Sequence, residues 1–235
     1  MQNKKTLLKR LLVIYITFFI VLVASLLHGF LPSFAQSCDA GTQVGNDIAK
    51  NWEAGTPHRI YLLGKIPVRS TQTFEITAAD GMSVEASIAS LSIIVDREAP
   101  DASVAGIAFG SIGGNPWFYV ASIAKLLFLV AIIVLMFRII HSLRRSVREE
   151  RPLDRRNVGR LRTIGALTIA AELLRDMVNW RLASHAAELL SGTVHTVDDT
   201  LHISYTPIIM GILILFAAEV FAIGQNLSEE QKLTI

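Results

Sequence analysis

The chain has 235 residues, 51% of them apolar, and a mean hydropathy of +0.46. That is too apolar for one soluble domain and long enough for several membrane crossings plus a small domain. The net charge of +2 decides little, because nine of the 22 Lys and Arg residues lie in 138–162 and others crowd the first ten residues, while a single cysteine, Cys38, excludes an intrachain disulfide and cysteine-based zinc knuckles.

Residues 1–10 hold Lys4, Lys5, Lys9 and Arg10 and precede an apolar run, so 11–33 is predicted as a first transmembrane helix with a cytoplasmic N-terminus. Ser33-Phe34-Ala35 also offers the small residues a signal peptidase reads, but the run exceeds the ~7 to 15 residues of a signal core, which favours a retained helix. Residues 34–115 read as an extracytoplasmic β-rich domain. Within it, Thr73 to Thr77 and Ser83 to Ile88 alternate apolar and polar residues around Asp80-Gly81, a hairpin signature. A three-residue loop of Ala79, Asp80 and Gly81 pairs Ile76 with Val84 and Phe74 with Ala86, whereas a two-residue loop would set Ile76 opposite Glu85. Apolar positions turn odd-numbered from Leu91, so the chain must bulge or break near Ala89-Ser90. Arg59 to Leu63 is a further strand of the same small sheet. Val44 to Trp52 reads as helical or irregular, and the glycine-rich Glu98 to Asn115 as a linker.

Pro116 opens a second transmembrane helix, 116–141, with Trp117 and Tyr119 as interfacial aromatics. The basic loop 142–160 follows, and a short loop so rich in arginine is retained in the cytoplasm. A third helix is expected over 161–182, then an outer loop over 183–206 in which His202 to Tyr205 could add a strand. A fourth helix covers 207–226 and a cytoplasmic tail 227–235. The expected fold class is an all-α four-helix transmembrane bundle with a small extracytoplasmic β-rich domain inserted between helices 1 and 2, both termini being cytoplasmic.

Glu172, Arg175 and Asp176 share one face of the third helix, and such a face is expensive in lipid unless it turns inward and finds partners. Depth, reckoned at roughly 1.5 Å per residue, sets Lys125 against Asp176 and leaves Arg175 for Glu172. Glu219 is placed to meet Arg138 or Arg162. The plainer reading of these charges is a neutralised structural cluster; the other is a proton or ion path. In the cytoplasm, Arg144, Arg145, Arg148, Arg155 and Arg156, with Glu229 and Glu230 of the tail, form a candidate docking surface, while the same arginines set topology and can meet anionic lipid head groups. Without interleaved aromatics the loop does not read as a nucleic-acid-binding element. His185, His195 and His202, with Asp198 and Asp199, fit no local metal spacing. Phosphate-binding glycine loops and nucleophile motifs are absent, so no catalytic residue, metal or cofactor is expected, and Gly113-Gly114 reads as a flexible approach to a helix rather than a cradle.

Two stretches, Arg151 to Gly165 and Ala218 to Ile235, resemble the signature segments of a family of bacterial membrane proteins, domain of unknown function 2975. Relatives usually carry an acidic residue where Lys232 stands. The family has no established activity, but its members are often encoded beside a small helix-turn-helix regulator, which implies by association a cytosolic transcription factor as partner. The resemblance implies a bacterial inner-membrane protein that is not an enzyme and acts as a sensor or sequestering partner of such a regulator. It would contact membrane lipids, bind no nucleic acid directly, and could form a homo-oligomer. The alternative is a small proton- or ion-coupled transporter using the charged face of helix 3, against which weighs the lack of an internal repeat.

Overall fold

A computed structural model describes residues 2–25, 27–28, 31–69, 73–77, 83–149, 155–193 and 196–233. Among these the elements run α1 (Gln2–Ser25), α2 (Leu31–Glu53), β1 (His58–Arg69), β2 (Thr73–Thr77), β3 (Ser83–Ser87), β4 (Ser90–Glu98), α3 (Val104–Phe109), α4 (Pro116–Glu149), α5 (Arg155–Leu189), β5 (Thr196–Val197) and α6 (Tyr205–Leu233). They divide into a helical unit, Met1–Asp39, Lys125–Leu173 and Ser204–Ile235, and a sheet unit, Ala40–Ala124 and Leu174–Ile203.

The sheet unit is built on β1, which pairs antiparallel with β4 on one side and with β5 on the other. The β1–β4 ladder passes from Leu62↔Ile94 to Gly64↔Ile93, so Leu63 is an extra residue and the register shifts there. Side chains alternate across a strand, so one extra residue exchanges the faces beyond it. The core records this exchange: Tyr61 precedes the bulge, Leu63 is the bulged residue, Ile66 follows it, and all three pack with Ala183 and Ala186 of α5. Partly buried Ile93 and Val95 of β4, Leu182 of α5 and Val197 of β5 complete the cluster. Near the bulge, the Leu62 N–H donates to the Ser111 carbonyl at 3.0 Å and the Gly113 N–H donates to the Leu62 carbonyl at 2.9 Å, which ties the approach to α4 onto β1.

The β2–β3 hairpin has the expected register, with Ile76↔Val84 and Phe74↔Ala86, and the chain breaks between Ser87 and Ser90 as the change of phase requires. The hairpin loop at 79–81 lies outside the described residues. Three local expectations are revised. The hairpin forms a separate two-stranded sheet rather than joining β1. The added strand is Thr196–Val197, not His202 to Tyr205. The expected linker contains α3, whose Ser103 side chain accepts the Gly106 N–H and so caps the helix.

In the helical unit, α4 and α5 are stapled near the basic segment by Asn157, a buried side chain that donates to Ser142 Oγ at 2.9 Å. The Arg162 guanidinium of α5 makes two hydrogen bonds to Glu219 of α6, at 2.8 and 2.9 Å. The end of α4, the start of α5 and the last part of α6 therefore lie at one end of this unit, with α5 antiparallel to α6. Gly165 and Gly211 mark their closest approach: a Cβ at Gly165 would stand 2.9 Å from the Gly211 carbonyl oxygen, and one at Gly211 would stand 3.0 Å from that of Gly165. Small residues that let helix backbones meet are a packing device common in lipid, where burying apolar surface gives no drive for association. Phe18 of α1 meets Phe137 of α4 edge to face at 5.8 Å.

The expected bundle of four transmembrane helices is overturned. The described residues form six helices, a three-stranded antiparallel sheet and a separate two-stranded one, and among them two helices are long and apolar enough to cross a membrane, Pro116–Ser146 and Tyr205–Gln225. A spanning helix needs roughly 18 or more apolar residues with few charges. The apolar part of α1 is shorter, Leu12–Ser25. In α5 the apolar run is interrupted by Arg160, Arg162, Glu172, Arg175, Asp176 and Arg181. On the two long helices the apolar side chains face outward: Leu126, Leu127, Val130 and Val134 on α4, and Ile212, Leu213, Phe216 and Val220 on α6, are all exposed. Contiguous exposed apolar surface of this kind marks a membrane or protein contact.

Candidate functional site

The face of the β1–β4 pair that packs on α5 does not stay apolar to its end. Tyr61 and Val95 are cross-strand partners on that face, and two residues further along stand Arg59 and Arg97, themselves partners. Like charges placed opposite each other on neighbouring strands are destabilising, so the sequence maintains an unfavourable pair at this edge. Arg181, Ser184, His185 and Glu188 of α5 face the two arginines across a cavity of ≈ 650 Å³, closed by Gly113, Gly114 and Asn115 and by Trp117 and Phe118 at the start of α4. A cavity of this size is within the range of small-molecule sites, ≈ 300–1,000 Å³.

Three features shape its interior. First, His185 stacks on Tyr61 with ring centroids 5.9 Å apart and planes at 21°. The Tyr61 hydroxyl and His185 Nε2 are 2.9 Å apart, and His185 Nδ1 lies 3.7 Å from a Glu188 carboxylate oxygen. Assigning the imidazole proton to Nδ1, the edge turned toward the Glu188 carboxylate, lets the phenol donate to Nε2. Second, the two glycines are required where they stand. Both have positive φ, 64° and 72°, and a Cβ on Gly114 would lie 2.9 Å from the Tyr61 ring while one on Gly113 would strike Phe118. They form the wall of a cavity, contrary to their reading as a flexible approach. Third, Asn115 caps α4, its Oδ1 accepting the Trp117 N–H at 2.9 Å, so the positive end of a 34-residue helix adjoins the cavity.

Burial raises the pKa of the Tyr61 phenol, and the Arg97 and Arg59 charges pull it back only in part. The phenol thus remains a protonated donor, not a poised nucleophile. The folded state keeps this proton to higher pH than the unfolded chain does. Its contribution is therefore fully present below the unfolded value of about 10 and is lost as pH rises through the folded value. Replacing Tyr61 by Phe should flatten the alkaline fall of the sheet unit's unfolding midpoint, measured from about pH 8 to about 11. An unchanged alkaline limb would assign the fall to another group.

The sequence-derived residues are placed as follows. Glu172 and Asp176 are buried, and Arg175 Nη2 lies 3.2 Å from Asp176 Oδ1. Lys125 is exposed. Of the two partners considered for Glu219, Arg162 is the one that binds it. Arg144, Arg145, Arg148, Arg155 and Arg156 are exposed, while the side chains of Glu229 and Glu230 lie outside the described residues. His185 belongs to the cavity through Tyr61, and His202 stands apart from it beside Asp198, Nε2 to Oδ2 at 3.8 Å. Among the described residues no three His, Cys, Asp or Glu side chains are grouped to hold a metal ion. The cavity itself was not anticipated. Its signal was present in the odd-numbered positions Arg59, Tyr61, Val95 and Arg97, but it becomes visible only once β1 and β4 are paired.

Together these features define a helical protein with two helices able to cross a membrane and a separate β-containing unit that carries a basic, aromatic-walled cavity open to one side. The chain belongs to the DUF2975 family of proteins of unknown function, whose family model matches residues 87–235. No curated protein and no solved structure matches the chain.

Proposed function

We propose that this is a non-enzymatic protein of the bacterial cytoplasmic membrane that holds or releases a small cytosolic helix-turn-helix regulator. The observation that carries the reading is the meeting of the end of α4, the start of α5 and the last part of α6 at one end of the helical unit. It gathers the exposed Arg144, Arg145, Arg148, Arg155 and Arg156 beside the helix that leads to Glu229 and Glu230, a charged surface suited to a partner of complementary potential. Arginine-rich segments are retained in the cytoplasm, which puts the junction of α4 and α5 on that side.

Replacing Arg144, Arg145 and Arg148 together by Gln leaves Arg155, Arg156, Arg160 and Arg162 to hold the topology, which a cytoplasm-active reporter fused after Ile235 checks. A helix-turn-helix regulator encoded beside the gene is expected to co-purify with the wild type and not with the triple variant, and its target transcripts should respond to the variant as to a deletion. If no regulator associates with the wild type, the reading fails. Ion-coupled transport along the charged face of α5 is then the better reading, favoured by the burial of Glu172 and Asp176.

A further inference from the structure

We infer that the cavity of the sheet unit binds a phosphate monoester, held by the guanidinium groups of Arg59, Arg97 and Arg181. The inference rests on the sheet unit alone and stands whether or not a regulator docks on the helical unit. The cavity sets three guanidinium groups against one carboxylate, Glu188, whose oxygen is already turned to His185. Arg59 and Arg97 face each other across the β1–β4 ladder, and neither forms an ion pair among the described residues. Arg59 Nε is buried and has no hydrogen-bond partner among them. A buried donor without an acceptor is rare in a folded protein, and the arginine that carries it also lines a space large enough for a ligand. An anion seated between the two arginines would convert their repulsion into attraction.

The chemical class follows from charge and shape. The excess positive charge matches the roughly −1.5 to −2 of a phosphate monoester at neutral pH better than the single charge of a monocarboxylate or phosphodiester. Planar guanidinium forks suit the bidentate recognition of phosphate oxygens, and the N-terminus of α4 adds its own preference for an anion. At ≈ 650 Å³ the cavity is far larger than a phosphate group, and the space beyond is bordered by the Trp117 and Phe118 rings, so the ester carries an apolar or aromatic part. Two sources share this chemistry: a soluble organic phosphate and the head group of an anionic lipid such as phosphatidic acid, for Trp117 stands in the first turn of a helix able to cross a membrane.

The test uses the full chain in phosphatidylcholine nanodiscs, read by its thermal unfolding midpoint and by tryptophan fluorescence. In the soluble arm phenyl phosphate is titrated beside succinate and benzoate. In the lipid arm a fraction of phosphatidic acid replaces phosphatidylcholine. A response to phenyl phosphate stronger than to either carboxylate assigns a soluble ester, and a response confined to phosphatidic acid assigns the lipid; either outcome supports the site. The double variant Arg59→Gln, Arg97→Gln should weaken the response roughly 100-fold, from the loss of charged hydrogen bonds. Relief of the cross-strand repulsion should leave its ligand-free midpoint at or above that of the wild type. Glu188→Gln, which removes the opposing charge, should tighten binding several-fold, so a gain in binding stands beside the loss. No response to either phosphate source, a succinate response equal to that of phenyl phosphate, or an undiminished response in the double variant would overturn the assignment.

Discussion

Arg175→Gln is expected to lower the stability of the protein by roughly 1 to 3 kcal/mol, below the ~3 to 5 that follows the breaking of a fully buried ion pair, because the arginine is partly exposed. The asymmetry of the pair sets the choice of residue. Asp176 is 5% exposed, whereas the Arg175 side chain is 41% exposed. Removing the arginine leaves a buried carboxylate with one charged donor fewer; removing the acid leaves a guanidinium that can turn to another environment. Asp176→Asn should therefore cost less than Arg175→Gln, and the double variant less than the sum of the two. A double-mutant cycle on the unfolding midpoint in detergent measures the coupling. Additive losses would show that the two groups are neighbours on α5 without being energetic partners. A second cycle, Lys125→Ala with Asp176→Asn, addresses the pairing inferred from depth along the helices, and strict additivity there removes it.

What could be read from the sequence was what depends on local chemistry. The β2–β3 register follows from period-two alternation and from the cost of setting Ile76 against Glu85, and the observed pairs Ile76↔Val84 and Phe74↔Ala86 agree with it. A long apolar run identifies α4 and α6 because little else competes for such a composition. A carboxylate in such a run demands a cation, and Glu219 has one in Arg162. α5 misled for the opposite reason: its apolar residues suggested a span, while the charges between them deny it an uninterrupted stretch. The cavity was hidden by two non-local facts. Arg59 and Arg97 become neighbours only through pairing of β1 with β4, and the bulge at Leu63 decides which face each part of β1 presents. Nothing in Tyr61-Leu62-Leu63-Gly64 announces that bulge beyond a glycine, and a strand read as ending at Leu63 does not extend to the Ile66 that packs with Tyr61 on α5.

Alanine at Gly211 is expected to disturb the helical unit as much as a larger residue would elsewhere, because the obstacle is partly backbone. Its Cβ would stand 2.5 Å from Ile169 Cγ1 and 3.0 Å from the Gly165 carbonyl oxygen; the first can yield by a change of rotamer, but the second yields only if α5 and α6 separate. At Gly165 the obstacles are Leu215 Cγ at 2.8 Å and the Gly211 carbonyl oxygen at 2.9 Å. Overpacking of this kind costs roughly 1 to 3 kcal/mol, which outweighs the ≈ 1 kcal/mol that replacing a mid-helix glycine by alanine contributes through propensity. Separation of the helices also lengthens the Arg162–Glu219 contact on the same α5–α6 seam, so the two defects should couple. The expected result is a lower unfolding midpoint for Gly211→Ala and Gly165→Ala, less than additive in the double variant, since one outward shift of α6 relieves both contacts. Glu219→Gln should lower the midpoint less in the Gly211→Ala background than in the wild type. A midpoint raised by either alanine would show that α5 and α6 are not in backbone contact at this crossing, and that the glycines serve some end other than close approach.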